Sequence, residues 1–195
     1  MAGADATARH AAHPHCPPLP CGDLWVFAYV SLMWNPDFPH VEARQALLRG
    51  YHRSFCIWSG RYRGTPEHPG LVLGLDRGGA CRGIVYRVEA AAVDEALRLL
   101  WVREMRRLTY RPRIVNVAHD AAVVAALTFT ADPRRPSYAG RLSDAEAAAR
   151  IAVSAGERGP NIDYLANTLR HLDELGVRDV RLQRIYTYAR AHVRG

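Results

Sequence analysis

Leu24-Trp25-Val26-Phe27-Ala28-Tyr29-Val30-Ser31-Leu32-Met33-Trp34-Asn35-Pro36 is the stretch from which the rest of the chain is read. It opens as a run of bulky apolar residues, the composition of a buried strand. It closes on Asn35-Pro36, a dipeptide that ends regular structure and starts a turn. Tyr29, Ser31 and Asn35 supply its polar side chains. A buried strand that delivers a hydroxyl and backbone N–H groups to its own end is a common way to hold a small anionic ligand. The plainer reading is a first core strand over Leu24 to Trp34 with no further duty. The local pattern alone leaves both open.

Around this stretch, the composition sets limits. A chain of 195 residues with 49% hydrophobic content can bury one real core and is expected to fold as one compact domain. No apolar run reaches the roughly 20 residues needed to span a bilayer. The N-terminus lacks the charged-then-apolar pattern of an export signal, so a cytoplasmic location is expected. The net charge is +7 and the pI is near 9.6, which raises nucleic acid as a partner. Against that partner, the basic residues are spread along the chain and all are arginine. With the many alanines, this reads as a bias of composition. A basic surface also suits a small anionic substrate. Cys16, Cys21, Cys56 and Cys81 are expected to be reduced thiols. Cys16 and Cys21 lie near His10, His13 and His15, but the spacing fits no zinc pattern, and no metal is expected.

Residues 1–22, rich in Ala, His and Pro, read as a disordered tail, and 23–195 as a single domain. After the first strand, Pro36 to Arg49 reads as a loop with a short turn of helix or strand. Gly50 to Trp58 reads as a second strand. Arg61 to Gly70, with two prolines, is a loop and a candidate binding segment. Leu71–Leu75 and Cys81–Val88 are predicted to form a hairpin around Asp76-Arg77-Gly78-Gly79. Gly74 and Gly83 mark bulges or close backbone approach. Arg111–Val117 and Val123–Thr130 pair around Ala118-His119-Asp120. Ser143-Asp144-Ala145-Glu146 is a capping box that starts a helix to about Ala155. A second helix runs Asn161–Leu175 with Ile162, Leu165, Leu169 and Leu172 inward, stopped by Gly176. A last one runs from the Asp179 cap through Ala191. Strands with one inserted helix, then helices, argue for an α+β fold: a small, mostly antiparallel, barrel-like sheet with flanking helices.

The inserted helix, Ala91 to about Arg106, holds the oddest residue. Val93, Ala96, Leu97, Leu100, Trp101 and Glu104 share one side at helical spacing, so a carboxylate continues an apolar stripe. Buried there, it would lose hydration and its pKa would rise toward neutrality, which suits a proton acceptor near pH 7. The structural alternative is a salt bridge to Arg103, Arg107 or another arginine.

Taken together, Leu24–Pro36, Arg63-Gly64-Thr65-Pro66, Arg103-Glu104, Tyr138-Ala139-Gly140 and Asn161-Ile162-Asp163-Tyr164-Leu165 resemble, in order and spacing, the motifs of ChaC-like γ-glutamylcyclotransferases. The resemblance covers Asp23 to Ala191. It implies a small barrel-like fold with flanking helices, no cofactor, and cleavage of glutathione to 5-oxoproline and cysteinylglycine. It makes Glu104 the catalytic acid/base. It places substrate binding on Phe27, Ala28, Tyr29, Val30, Ser31 and Leu32, with Tyr164 holding the substrate and Arg63 partnering a substrate carboxylate. Two departures from the family pattern support a second reading, a weakened relative that binds a γ-glutamyl compound or another partner. Ala28 and Val30 stand where the family loop has glycine before and after the tyrosine, and Val30 matters if its position needs positive φ or open space. Arg106-Arg107 stand where small residues are usual, and their charges could lower the pKa of Glu104.

Overall fold

The computed structural model describes residue 13, residues 15–106 and residues 108–194. Five strands close into one barrel: β1 (Leu24–Ala28), β2 (Glu42–Ser59), β3 (Gly70–Val88), β4 (Tyr110–His119) and β5 (Ala122–Ala131), in the order β1-β3-β2-β4-β5. β1 pairs antiparallel with β3, from Leu24↔Val88 to Ala28↔Ile84, and parallel with β5 at Trp25↔Ala126 and Val26↔Leu127. β4 and β5 form a full antiparallel hairpin from Tyr110↔Ala131 to His119↔Ala122. Helix α1 (Val93–Leu100) follows β3 and continues into a π-helical turn, Trp101–Met105. Beyond the barrel come α2 (Asp144–Val153), a two-stranded ribbon of β6 (Ala155–Gly156) and β7 (Gly159–Pro160), α3 (Asn161–Glu174) and α4 (Val180–Arg194). This is the expected α+β architecture. The chain divides into two compact units, 1–53 with 75–132, and 54–74 with 133–195.

In the first unit the core is built from Leu24, Val26, Phe27, Leu48, Val85, Leu97, Leu100, Leu127 and Phe129, all essentially buried. Three boundaries differ from expectation, each for a local reason. The first strand stops at Ala28 and not Trp34, because Met33 N–H donates to the Val30 carbonyl (2.7 Å) and Asn35 N–H to that of Ser31 (2.9 Å), coiling Ser31–Met33 into a 3₁₀ turn. The second strand begins at Glu42, inside the expected loop. Ala46 and Leu48 are buried while Gln45 and Arg49 are exposed, a period of two hidden among charges. The expected hairpin over 71–88 is instead one continuous strand, β3. Gly78 (φ +104°) and Gly79 (φ +66°) kink it without reversing it, and His52 Nδ1 lies 2.9 Å from the Gly78 carbonyl oxygen. The tail reading over 1–22 falls largely on 1–12 and 14, which lie outside the described residues. Of the remainder, Cys16 is buried and the His13 ring lies 5.1 Å from that of Trp101. Cys56 and Cys81 are also buried, whereas Cys21 is exposed.

In the second unit, Ser143 caps α2 through the full capping box: Glu146 N–H donates to Ser143 Oγ (3.2 Å) and Ser143 N–H to Glu146 Oε2 (2.7 Å). Asp144 in the first turn of α2 accepts from Nε of both Arg181 (2.8 Å) and Arg184 (2.6 Å) on α4. α3 ends with Gly176 N–H on the Asp173 carbonyl and Val177 N–H on that of Leu172. Its inward face is Asn161, Leu165, Thr168 and Leu172, whereas Ile162 and Leu169 are half-buried. The rotation from the expected face follows from Asn161, whose amide clasps both backbone groups of Leu71 (2.6 and 2.8 Å).

Candidate active site

The site grows from the end of β1. Ala28 is fully buried and sits against Gly83 of β3, where an added Cβ would collide with the Ala28 carbonyl oxygen. Only glycine permits that approach. Thr128 Oγ1 of β5 donates to the Phe27 carbonyl (2.9 Å). Past Ala28 the backbone is held by two buried donors. Arg53, on β2, donates to the carbonyls of Tyr29 and Arg82. Tyr86, on β3, donates its hydroxyl to the Met33 carbonyl (2.7 Å). Burial pushes the Tyr86 phenol up to about 12, so it remains a donor at any physiological pH.

These anchors set what the loop presents. Phe27, Ala28, Tyr29, Val30 and Leu32 are buried, and Ser31 is exposed. Of the six expected binding residues on this loop, Ser31 is the one with an exposed side chain, and the other five are buried. Val30 has φ −141° and ψ −125°, well away from the left-handed region, and its methyls are buried at 8% exposure. The φ at Val30 is therefore not the left-handed one that only glycine adopts readily.

Arg103 reaches the loop from the π turn, with Glu104 beside it. The Arg103 guanidinium donates from Nη2 to Ser31 Oγ (2.9 Å) and from Nη1 to the Asn35 carbonyl (2.6 Å) and Asp37 Oδ2 (3.0 Å). Its Nε lies 3.4 Å from Glu104 Oε1. The Glu104 side chain is 14% exposed. Desolvation pushes its carboxyl up to about 6, against the downward pull of Arg103. The salt bridge and the raised pKa therefore coexist, and burial wins. Arg106 is exposed, and among the described residues the charge that acts on Glu104 is that of Arg103. Arg107 lies outside the described residues. Single π turns inside α-helices are rare and frequently lie at functional sites.

Arg63 and Tyr164 lie in the second unit, where they meet each other. The Arg63 guanidinium stacks 5.3 Å from the Tyr164 ring centre and donates from Nη1 to the carbonyls of Arg158 (2.6 Å) and Pro160 (3.2 Å). Burial lowers its pKa from the usual arginine value. Tyr164 Oη accepts from Leu73 N–H (3.3 Å), and its ring meets Phe55 edge-on at 6.2 Å. Both side chains thus have structural work at the start of α3. Arg53, Tyr86, Thr128 and Arg103 were not singled out as site residues by sequence reasoning. Arg53 carried a readable signal, a charge inside a strand of aromatic and β-branched residues. Tyr86 and Thr128 carried none, since any strand has such residues.

Among the described residues, no three His, Cys, Asp or Glu side chains gather as a metal site, and no helix is long and apolar enough to cross a membrane. A clamped loop with an exposed hydroxyl, tied to a carboxyl that titrates near neutrality, has the parts of an acid–base catalyst. A sequence model of the ChaC-like protein family matches residues 24–192, and the chain belongs to that family. The chain is 37% identical over 159 residues to the glutathione-specific γ-glutamylcyclotransferase of Escherichia coli (strain K12), spanning 81% of this chain and 69% of that protein. It is 37% identical over 147 residues to glutathione-specific γ-glutamylcyclotransferase 1 of Danio rerio, 73% of this chain and 75% of that protein. The crystal structure of a γ-glutamylcyclotransferase specific to glutathione from yeast shares the fold, with a TM-score of 0.76 at 21% identity over 88% of this chain and 99% of that one.

Proposed function

We propose that this chain is a glutathione-specific γ-glutamylcyclotransferase in which Glu104 is the acid/base. The observation that carries the residue assignment is the Glu104 carboxyl itself, buried, pushed up to about 6, and joined through Arg103 to the exposed hydroxyl of Ser31. The substrate's α-amine, once neutral, attacks its own γ-carbonyl carbon. A five-membered ring closes as the bond to the cysteinyl nitrogen breaks. Because nucleophile and electrophile share one molecule, much of the entropic barrier is already met. The attacking nitrogen gives a proton to the Glu104 carboxylate, and the same carboxyl passes it to the departing nitrogen. Atoms balance without water: glutathione gives 5-oxoproline and cysteinylglycine. A carboxyl near 6 is mostly ionised at pH 7 and still a better base than an ordinary glutamate. Ser31 and the loop N–H groups are the donors for the carbonyl oxygen as charge builds on it. By the family resemblance Tyr164 is assigned to holding the substrate and Arg63 to a substrate carboxylate, Arg63 as the weaker assignment because two carbonyls already engage its Nη1.

The weakened-relative reading rested on Val30 and the paired arginines. The φ at Val30 is negative and Arg106 is exposed, while Arg107 lies outside the described residues, so the Val30→Gly comparison decides between the two readings. The test is incubation of purified protein with glutathione, following both products by mass spectrometry, with Glu104→Gln alongside. Release by the wild type and loss in the variant is the expected result. No release at millimolar glutathione would overturn the proposal.

A further inference from the structure

Arg103 makes more contacts than a salt bridge to its neighbour requires. Its guanidinium reaches the first residue of the 3₁₀ turn through Ser31 Oγ, and the end of the loop through the Asn35 carbonyl and Asp37 Oδ2. Asn35 Nδ2 donates to the same Asp37 oxygen (2.9 Å), and Asp37 itself sits at φ +52°. A loop containing a left-handed non-glycine residue needs such an outside tie. The fork is planar and has fixed donor directions, which lysine lacks.

The chemistry at Ser31 is directional. A guanidinium nitrogen can only donate, so the Ser31 oxygen must accept. The hydroxyl hydrogen is then left to point away from Arg103, and Ser31 is exposed. Donation from a cation also polarises the hydroxyl and strengthens it as a donor. We propose that Arg103 is a positioning residue, which fastens the Ser31–Asp37 loop and fixes the Ser31 hydroxyl as a donor toward an oxygen of the substrate's γ-glutamyl group. This rests on the function proposed above. The same group is the cation beside Glu104. Among the described residues, the charged groups around this corner include Arg103 on Glu104's own turn, the exposed Arg106 after it, Asp37 from the loop, which shares the Arg103 guanidinium, and Arg53 of β2, which donates to the Tyr29 carbonyl.

The experiment compares wild type, Arg103→Lys, Arg103→Met and Ser31→Ala, with the Ser31→Ala/Arg103→Met double variant. Losing a charge-assisted hydrogen bond corresponds to about tenfold or more. KM for glutathione should rise by about that factor in both Arg103 variants, since neither keeps the fork. The acid limb of kcat/KM should stay in place with lysine, which keeps the charge, and move to higher pH with methionine. Ser31→Ala should cost far less in the Arg103→Met background than alone. A merely structural arginine would lower Tm without moving the acid limb or coupling to Ser31. Two readouts need no activity: the 13C titration of the Glu104 carboxyl, and amide exchange at Asn35, whose N–H bonds to the Ser31 carbonyl. Both should shift in Arg103→Met. Unchanged KM, acid limb and Asn35 exchange would overturn the positioning role. A wild type that releases no 5-oxoproline would overturn the function, while the titration and exchange still decide Arg103.

Discussion

Glu104 sets two demands against each other. Folding raises its pKa from an ordinary 4.5 to about 6. A carboxyl with that shift favours the fold below pH 4.5, and the contribution is lost as pH rises through 6, which amounts to about 2 kcal/mol of stability missing at neutral pH. Glu104→Gln should therefore raise Tm at pH 7.5 and match wild type at pH 4, while abolishing turnover; calorimetry at both pH values checks the sign. In the wild type, kcat/KM should fall below about pH 6, with one acid limb set by this carboxyl. Val30→Gly should lower Tm, because about 2 kcal/mol of buried side chain is removed, and should leave KM unimproved. Glu104 was legible in the sequence because a charge in an apolar helical stripe breaks a local rule. The conformation at Val30 was not legible, since φ there follows from where Arg53 and Tyr86, both distant in the chain, hold the neighbouring carbonyls.

At the scale of elements, patterns decided by neighbours within a turn were readable, and those decided by distant pairing were not. The capping box at Ser143, the stop at Gly176 and the β4–β5 hairpin all stand where sequence placed them. The continuous β3 did not, because Asp76-Arg77-Gly78-Gly79 is a turn signal by composition, and partners across the sheet turn it into a kink. The π turn also left no mark in a pattern that reads as plain helix. Ser143→Ala should cost about 1 kcal/mol in thermal unfolding and leave KM untouched. Gly83→Ala should do more: its methyl collides with the Ala28 carbonyl, so the end of β1 must shift and both Tm and kcat/KM should drop. Comparing these two variants separates general destabilisation from displacement of the loop.

On the scale of the molecule, several of the described arginines are held in ion pairs on different elements. Arg44 and Arg87 meet Glu42, Arg98 meets Glu95, Arg61 meets Glu157, Arg170 meets Glu174, and Arg181 and Arg184 meet Asp144. Such pairs add little stability individually, but they take these cations out of any row spaced to track a phosphate backbone. Fluorescence anisotropy should show no retention of duplex DNA at about 0.15 M salt, and tight, steeply salt-dependent binding would restore the nucleic-acid reading. The burial of Cys16, Cys56 and Cys81 bears on the same whole-molecule scale. An enzyme that degrades a small thiol works bathed in that thiol and its oxidised form. Mixed-disulfide formation needs an accessible thiolate, and burial raises the Cys16 thiol to about 11. Three of the four cysteine sulfurs are thereby insulated from exchange with the medium, so oxidative stress should alter the supply of substrate and, among the cysteines, reach Cys21 alone.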